Sequence, residues 1–173
     1  MCSSDLEMLD LLKRISSEYV GVCVDVGNNI ALLEEPMAVV EALAPFAFST
    51  HLKDMAVQEY EEGFLLSEVP LGEGFLDLRA MVAVLQKANP TIQFNLEMIT
   101  RDPLKIPCLT PQYWATMENA PAAQLAAELG MVRRNAATKP LPHSSGLDLD
   151  SQLALEDDHV KASFAYARRN LGL

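Results

Sequence analysis

Three short apolar runs, each flanked by helical periodicity, restrict this chain more than any other feature. They are Val22-Cys23-Val24-Asp25, the stretch from Ala47 to Lys53, and Phe94-Asn95-Leu96-Glu97. Runs of this length, bounded by turns and alternating with helices, read as buried parallel strands. The helical patterns are equally regular. Leu9, Leu12 and Ile15 share a face over about residues 4–18, Val39, Val40 and Leu43 follow Pro36, and Leu78, Met81, Val82 and Leu85 precede the stop at Asn89-Pro90. Helix then strand, three times over, implies right-handed crossovers and an α/β fold. Three parallel strands are too few for an open doubly wound sheet or a closed barrel. The chain is therefore expected either to assemble with something else or to be part of a larger protein.

Each run stops at a side chain able to bind a cation: Asp25, His51 and Glu97. Such residues would project from the carboxyl ends of adjacent strands. One Asp, one His and one Glu form an oxygen-rich set that suits Mn, Mg, Co or Zn better than a thiophilic metal. Each has a plainer reading when taken alone. Asp25 precedes a Gly-Asn turn and could be a turn former, and His51 could be a hydrogen-bonded core histidine. Glu97 is harder to dismiss, because an isolated buried carboxylate is costly. Together, at three successive strand ends, they predict a metal site.

With 173 residues, half of them apolar, the chain has material for one domain with a core. A formal charge of −11 with dispersed Lys and Arg argues against nucleic acid as a partner. The sequence has neither a membrane-length apolar run nor a signal-peptide pattern. Cys2, Cys23 and Cys108 form no CxxC, which makes a reducing, cytoplasmic location the default. Cys23 and Cys108 read as packed thiols, and His143 and His159 as solvated. The long stretch over 54–77 reads as a hairpin or lid. Within it Gly72-Glu73-Gly74 is a weak phosphate-loop candidate, and Glu73 is expected to be exposed. Beyond a two-proline loop at 101–108, Pro111 is expected to open a helix carrying Leu125, Leu129 and Val132 on one face. A linker at 135–146 leads to a last helix at about 150–171, expected to bury Leu153, Val160, Phe164 and Leu171. Residues 1–110 and 111–173 read as strand-bearing region and helical tail of one domain. The tail is left open between a homo-oligomer interface and a cover over the bottom of the fold.

The ordered set Val22-x-Val24-Asp25-x-Gly27-Asn28, then His51-Leu52-Lys53-Asp54 with its histidine 26 residues after the aspartate, then Leu71-Gly72-Glu73-Gly74-x-x-Asp77, then Leu96-Glu97, resembles the carboxyl-terminal half of the xylose-isomerase-like sugar phosphate isomerase/epimerase barrels. The resemblance spans roughly residues 20–114. It implies a partial (β/α)8 TIM barrel: the last three parallel strands with their helices, plus a helical C-terminal tail. It also implies a divalent metal held by Asp25, His51 and Glu97. The family's first glutamate has no counterpart here and would fall ahead of Met1. The chain is therefore expected to be a fragment, inactive alone and prone to aggregate or pack loosely, with interior residues such as Val22 or Val24 exposed.

The chemistry implied is proton transfer through an enediolate of a sugar or sugar phosphate, stabilised by the metal. Glu97 would serve as ligand and acid/base. Lys53, two residues beyond His51, is expected on the same side of the strand and in reach of a substrate hydroxyl or phosphate. Asp54 would orient Lys53 or His51, and Arg101 is a candidate for an anionic substrate group, although a loop salt bridge competes. The alternatives are dehydration of a polyol ketone and a non-catalytic, barrel-derived binding domain.

Overall fold

In the computed structural model, which describes residues 5–116 and 122–173, the elements run α1 (Asp5–Ile15), β1 (Val22–Asp25), α2 (Pro36–Leu43), β2 (Ala47–Leu52), β3 (Asp54–Tyr60), β4 (Gly63–Val69), α3 (Leu78–Ala88), β5 (Gln93–Leu96), β6 (Leu104–Ile106), α4 (Ala122–Arg134) and α5 (Leu149–Tyr166). Single 3-10 turns lie at Asn28–Leu32, Ala44–Phe46 and Tyr113–Thr116, and a π turn at Ala167–Leu171 closes the chain. Residue 4, where the first helical pattern is expected to begin, lies outside the described residues.

The expected parallel sheet forms in the order β1-β2-β5, with both pairs parallel. It is an open segment of a barrel. Helices α1, α2 and α3 cover one face, where Leu12, Val24, Val39, Val40, Leu43, Met81, Val82 and Leu85 make the main core. The helix starts follow from local chemistry. Glu35 caps α2 by accepting the amides of Met37 and Ala38 with Pro36 in the first turn, and Asp77 caps α3 through the Ala80 amide. Val24 is fully buried against the helices, which corrects the expectation that it would line an exposed interior. Alternation instead turns Cys23, Ser49, His51 and Asn95 to the opposite face, where Cys23 is exposed rather than packed.

The 54–77 stretch is the expected hairpin. Strands β3 and β4 pair antiparallel from Asp54↔Val69 to Tyr60↔Gly63, and β6 adds to β4 in the order β3-β4-β6. Met55, Val57, Phe64, Leu66 and Ile106 pack with Ile30, Leu33, Cys108 and Val132 of α4 in a second core. The helix expected from Pro111 is a 3-10 turn followed, after the undescribed 117–121, by α4. The final helix departs further from expectation. Leu153 and Phe164 are 59% and 47% exposed, because α5 meets the rest of the chain mainly through Ser163, Tyr166 and Ala167. No helix among the described residues is long and apolar enough to cross a membrane.

Candidate metal centre

The parallel register builds the site. Asp25 pairs with His51 and His51 with Asn95, and the Glu97 amide donates to the Leu52 carbonyl, extending β5 by one step. Three strand ends are thereby brought level. The side chains of Asp25, His51 and Glu97 each offer one ligand atom, and those atoms lie within 4.8 Å of one another. His51 Nδ1 is 2.8 Å from Glu97 Oε2 and 3.8 Å from Asp25 Oδ2. Asp25 is fixed by its own turn: Oδ1 accepts the amides of Gly27 and Asn28, and Oδ2 the side-chain amide of Asn28. The turn-forming and ligand readings of Asp25 are thus compatible, Oδ1 holding the turn while Oδ2, which also accepts from Asn28, faces His51.

Lys53 is the centre of charge. Its side chain is 1% exposed, with Nζ 3.0 Å from Asp25 Oδ2, 3.0 Å from Glu97 Oε2 and 3.9 Å from Glu68 Oε1. Nζ also donates to Asn28 Oδ1. Burial works against the ammonium, but Asp25, Glu68 and Glu97 outweigh it and hold Lys53 above its ordinary pKa. Lys53 therefore faces carboxylates rather than solvent, whereas half of the His51 side chain is open.

Glu68 is the residue that sequence reasoning missed. It stands on β4, its side chain 3% exposed, with Oε2 accepting the Ile99 amide at 2.7 Å and Oε1 3.6 Å from Arg101 Nη2. Burial raises its pKa, with the Ile99 amide and the charges of Lys53 and Arg101 pulling the other way. Its only sequence signal was a carboxylate, beside Ser67, inside a largely apolar strand. Arg101 forms the loop ion pair named among its two expected roles, and 44% of its side chain remains accessible.

Asp54 lies apart from this cluster. It is 1% exposed, with Oδ2 accepting the amides of Gly72 and Gly74 and Oδ1 those of Met55 and Leu76. Its hydrogen bonds fasten the 71–76 loop. The same contacts use up the amides that a phosphate loop would need. Gly74 is required here, since a Cβ would come 2.1 Å from Asp54 Oδ1. Glu73 points outward to Lys139, as expected. A separate cavity of about 740 Å³ opens between the loop at 70–75, the 135–143 segment and α5, but it contains none of the clustered residues.

The residues fit a divalent cation. Two carboxylates and an imidazole are a suitable donor set. Glu97 Oε2 is also shut off from solvent and accepts no well-directed hydrogen bond, although His51 and Lys53 crowd it.

A parallel β/α sheet with acidic and imidazole side chains converging at its carboxyl ends defines the class of (β/α)-barrel proteins with a candidate metal centre. The chain belongs to the xylose isomerase-like TIM barrel family, whose model matches residues 2–134. It is 39% identical over 77 residues to the 3-oxo-isoapionate decarboxylase of Pectobacterium atrosepticum, covering 43% of this chain and 28% of that enzyme. Among solved structures, it is similar to a xylose isomerase-like TIM barrel protein from Mycobacterium smegmatis in complex with magnesium. That match has 17% identity and a TM-score of 0.49, and covers 73% of this chain and 41% of the other. A xylose isomerase domain protein from Planctomyces limnophilus matches at 16% identity and a TM-score of 0.45, with 76% and 45% covered. The chain thus spans less than half the length of each of these relatives.

Proposed function

We propose that this chain carries the metal-binding half of an enzyme that breaks a bond next to a carbonyl in a polyhydroxylated substrate, with isomerisation or epimerisation of a sugar or sugar phosphate as the first reading. One observation carries it: the convergence of Asp25, His51 and Glu97 beside the buried ammonium of Lys53. Asp25, His51 and Glu97 would hold the ion. When bound, a divalent cation supplies electrostatic stabilisation for negative charge that develops on the substrate's oxygens. Glu97 would be the carboxylate that takes and returns the carbon-bound proton. Lys53 pins Asp25 and Glu97 in mutual register, and its burial makes that positioning role better supported than direct contact with substrate. Arg101, at the accessible rim, is the group for an anionic substituent.

Decarboxylation of a 3-oxo sugar acid is the second reading, favoured by the relative's name and by Arg101 at the rim. It differs only in which bond breaks: the electron pair left on the carbon next to the carbonyl comes from a C–C rather than a C–H bond.

The test is to load the protein with Mn2+ and follow two products by NMR across a panel of ketoses, their phosphates and 3-oxo sugar acids. Solvent deuterium entering next to the carbonyl supports proton transfer, and CO2 release supports decarboxylation. His51→Ala should abolish either. Retained metal with neither product, from this half and again from a chain that includes the remaining strands, would sink the enzymatic reading and leave a non-catalytic binding domain.

A further inference from the structure

The two carboxylate oxygens nearest Lys53 are the same two that approach His51. Asp25 Oδ2 and Glu97 Oε2 each lie 3.0 Å from Lys53 Nζ, and 3.8 and 2.8 Å from His51 Nδ1. Taking up a dication would therefore set it against the ammonium, in competition for one pair of oxygens. Lys53 cannot turn away into water, because its side chain is 1% exposed. Another negative group must offset that repulsion. Besides Asp25 and Glu97, the carboxylate paired with Lys53 among the described residues is Glu68, with Oε1 at 3.9 Å. Glu68 is not in the ligand group, and its side chain is 3% exposed. Its other oxygen is fastened to the Ile99 amide, two residues beyond Glu97. Arg101 draws on Glu68 as well, but from a side chain 44% exposed and so more screened.

We propose that Glu68, supplied by the antiparallel hairpin rather than by the parallel sheet, is a positioning residue: it acts through Lys53 as the counter-charge that lets the ammonium and a divalent cation share Asp25 and Glu97. The inference rests on the metal-centre reading above. It makes the hairpin part of the site rather than a cover over it.

The test is Mn2+ affinity, followed by the EPR signal of the free ion, in the wild type, Glu68→Gln and Glu68→Asp, with circular dichroism confirming the fold. Gln keeps the shape and an acceptor for Ile99 but removes the charge; Asp keeps the charge and shortens the reach. A charge role places the Gln variant about 10- to 100-fold below wild type, with Asp between them. In a Lys53→Met background, Glu68→Gln should then leave affinity unchanged. An Asp variant as weak as or weaker than Gln would mean that anchoring of Ile99 is what matters, and would overturn the proposal. So would equal affinities in the wild type and the Gln variant, with the metal centre itself intact. If the wild type binds no Mn2+, the metal-centre reading fails and the counter-charge role fails with it.

Discussion

Asp54 and Glu128 show how buried carboxylates of the same type reach different ends. Asp54 receives four backbone amides, yet burial still pushes its pKa up to about 6. Asp54→Ala would orphan donors along the 71–76 loop, and we expect a loss of about 3 kcal/mol or more in urea unfolding. Glu128 on α4 is 4% exposed, and its Oε1 accepts no hydrogen bond; burial, with Glu35 adding to it, raises its pKa to about 7. A folded-state pKa above the unfolded one means that the native state holds the proton longer, so stability falls as pH rises from about 4.5 to about 7. The shift corresponds to about 3 kcal/mol. Glu128→Gln should flatten that decline, and urea midpoints measured below pH 4.5 and above pH 7 would show it. An unchanged pH slope would mean that Glu128 is hydrated or paired in solution. In the sequence, Asp25, His51 and Glu97 stood out because each ends an apolar run and the three fall at successive strand ends, although Asp25 and His51 each had a plainer reading alone. The loop contacts of Asp54 could not be read, because its partners, the amides of Gly72, Gly74 and Leu76, lie some twenty residues on and carry no side-chain signature.

At the scale of elements, the hairpin decides how the site is closed. Met55, Val57, Phe64 and Leu66 face one core while Ala56 and Val69 face another, so both sides are largely buried. The sequence therefore alternates only loosely, enough to suggest a hairpin or lid but not its strand bounds. Strand β6 could not be read at all. Leu104-Lys105-Ile106 sits in a two-proline loop and becomes a strand only by pairing with Phe64–Leu66. The tail was misread for a related reason: an apolar periodicity in α5 says that a face exists, not that anything covers it. Phe64 is fully buried where β4, β6 and α4 meet. Phe64→Ala should cost about 3–5 kcal/mol. Hydrogen exchange would locate the loss, with the amides of β3, β4 and β6 losing protection first. Because β4 also carries Glu68, the same substitution should weaken Mn2+ retention without touching a ligand.

For the whole molecule, the question is what an open segment of a barrel does with its edges. Among the described residues the outer edges of β1 and β5 pair with no strand. The face carrying Ser49, His51 and Asn95 is polar enough to tolerate water, so the liability lies elsewhere. Near the start of the sheet Tyr19, Val20 and Phe48 are 84%, 40% and 54% exposed, the first two leading into the edge strand β1 and Phe48 standing on the central strand β2. An unpaired parallel edge flanked by apolar side chains is a template for self-pairing. We therefore expect the 173-residue chain to associate, its sedimentation coefficient rising with concentration and its thermal transition broad. Phe48→Lys replaces one of these exposed apolar side chains by a charge and should reduce association while leaving the circular dichroism unchanged. If instead the wild type sediments as one species at every concentration and unfolds in one sharp transition, the helices and the hairpin sheet suffice to hold three parallel strands. The metal centre could then be studied in this chain as a self-standing unit.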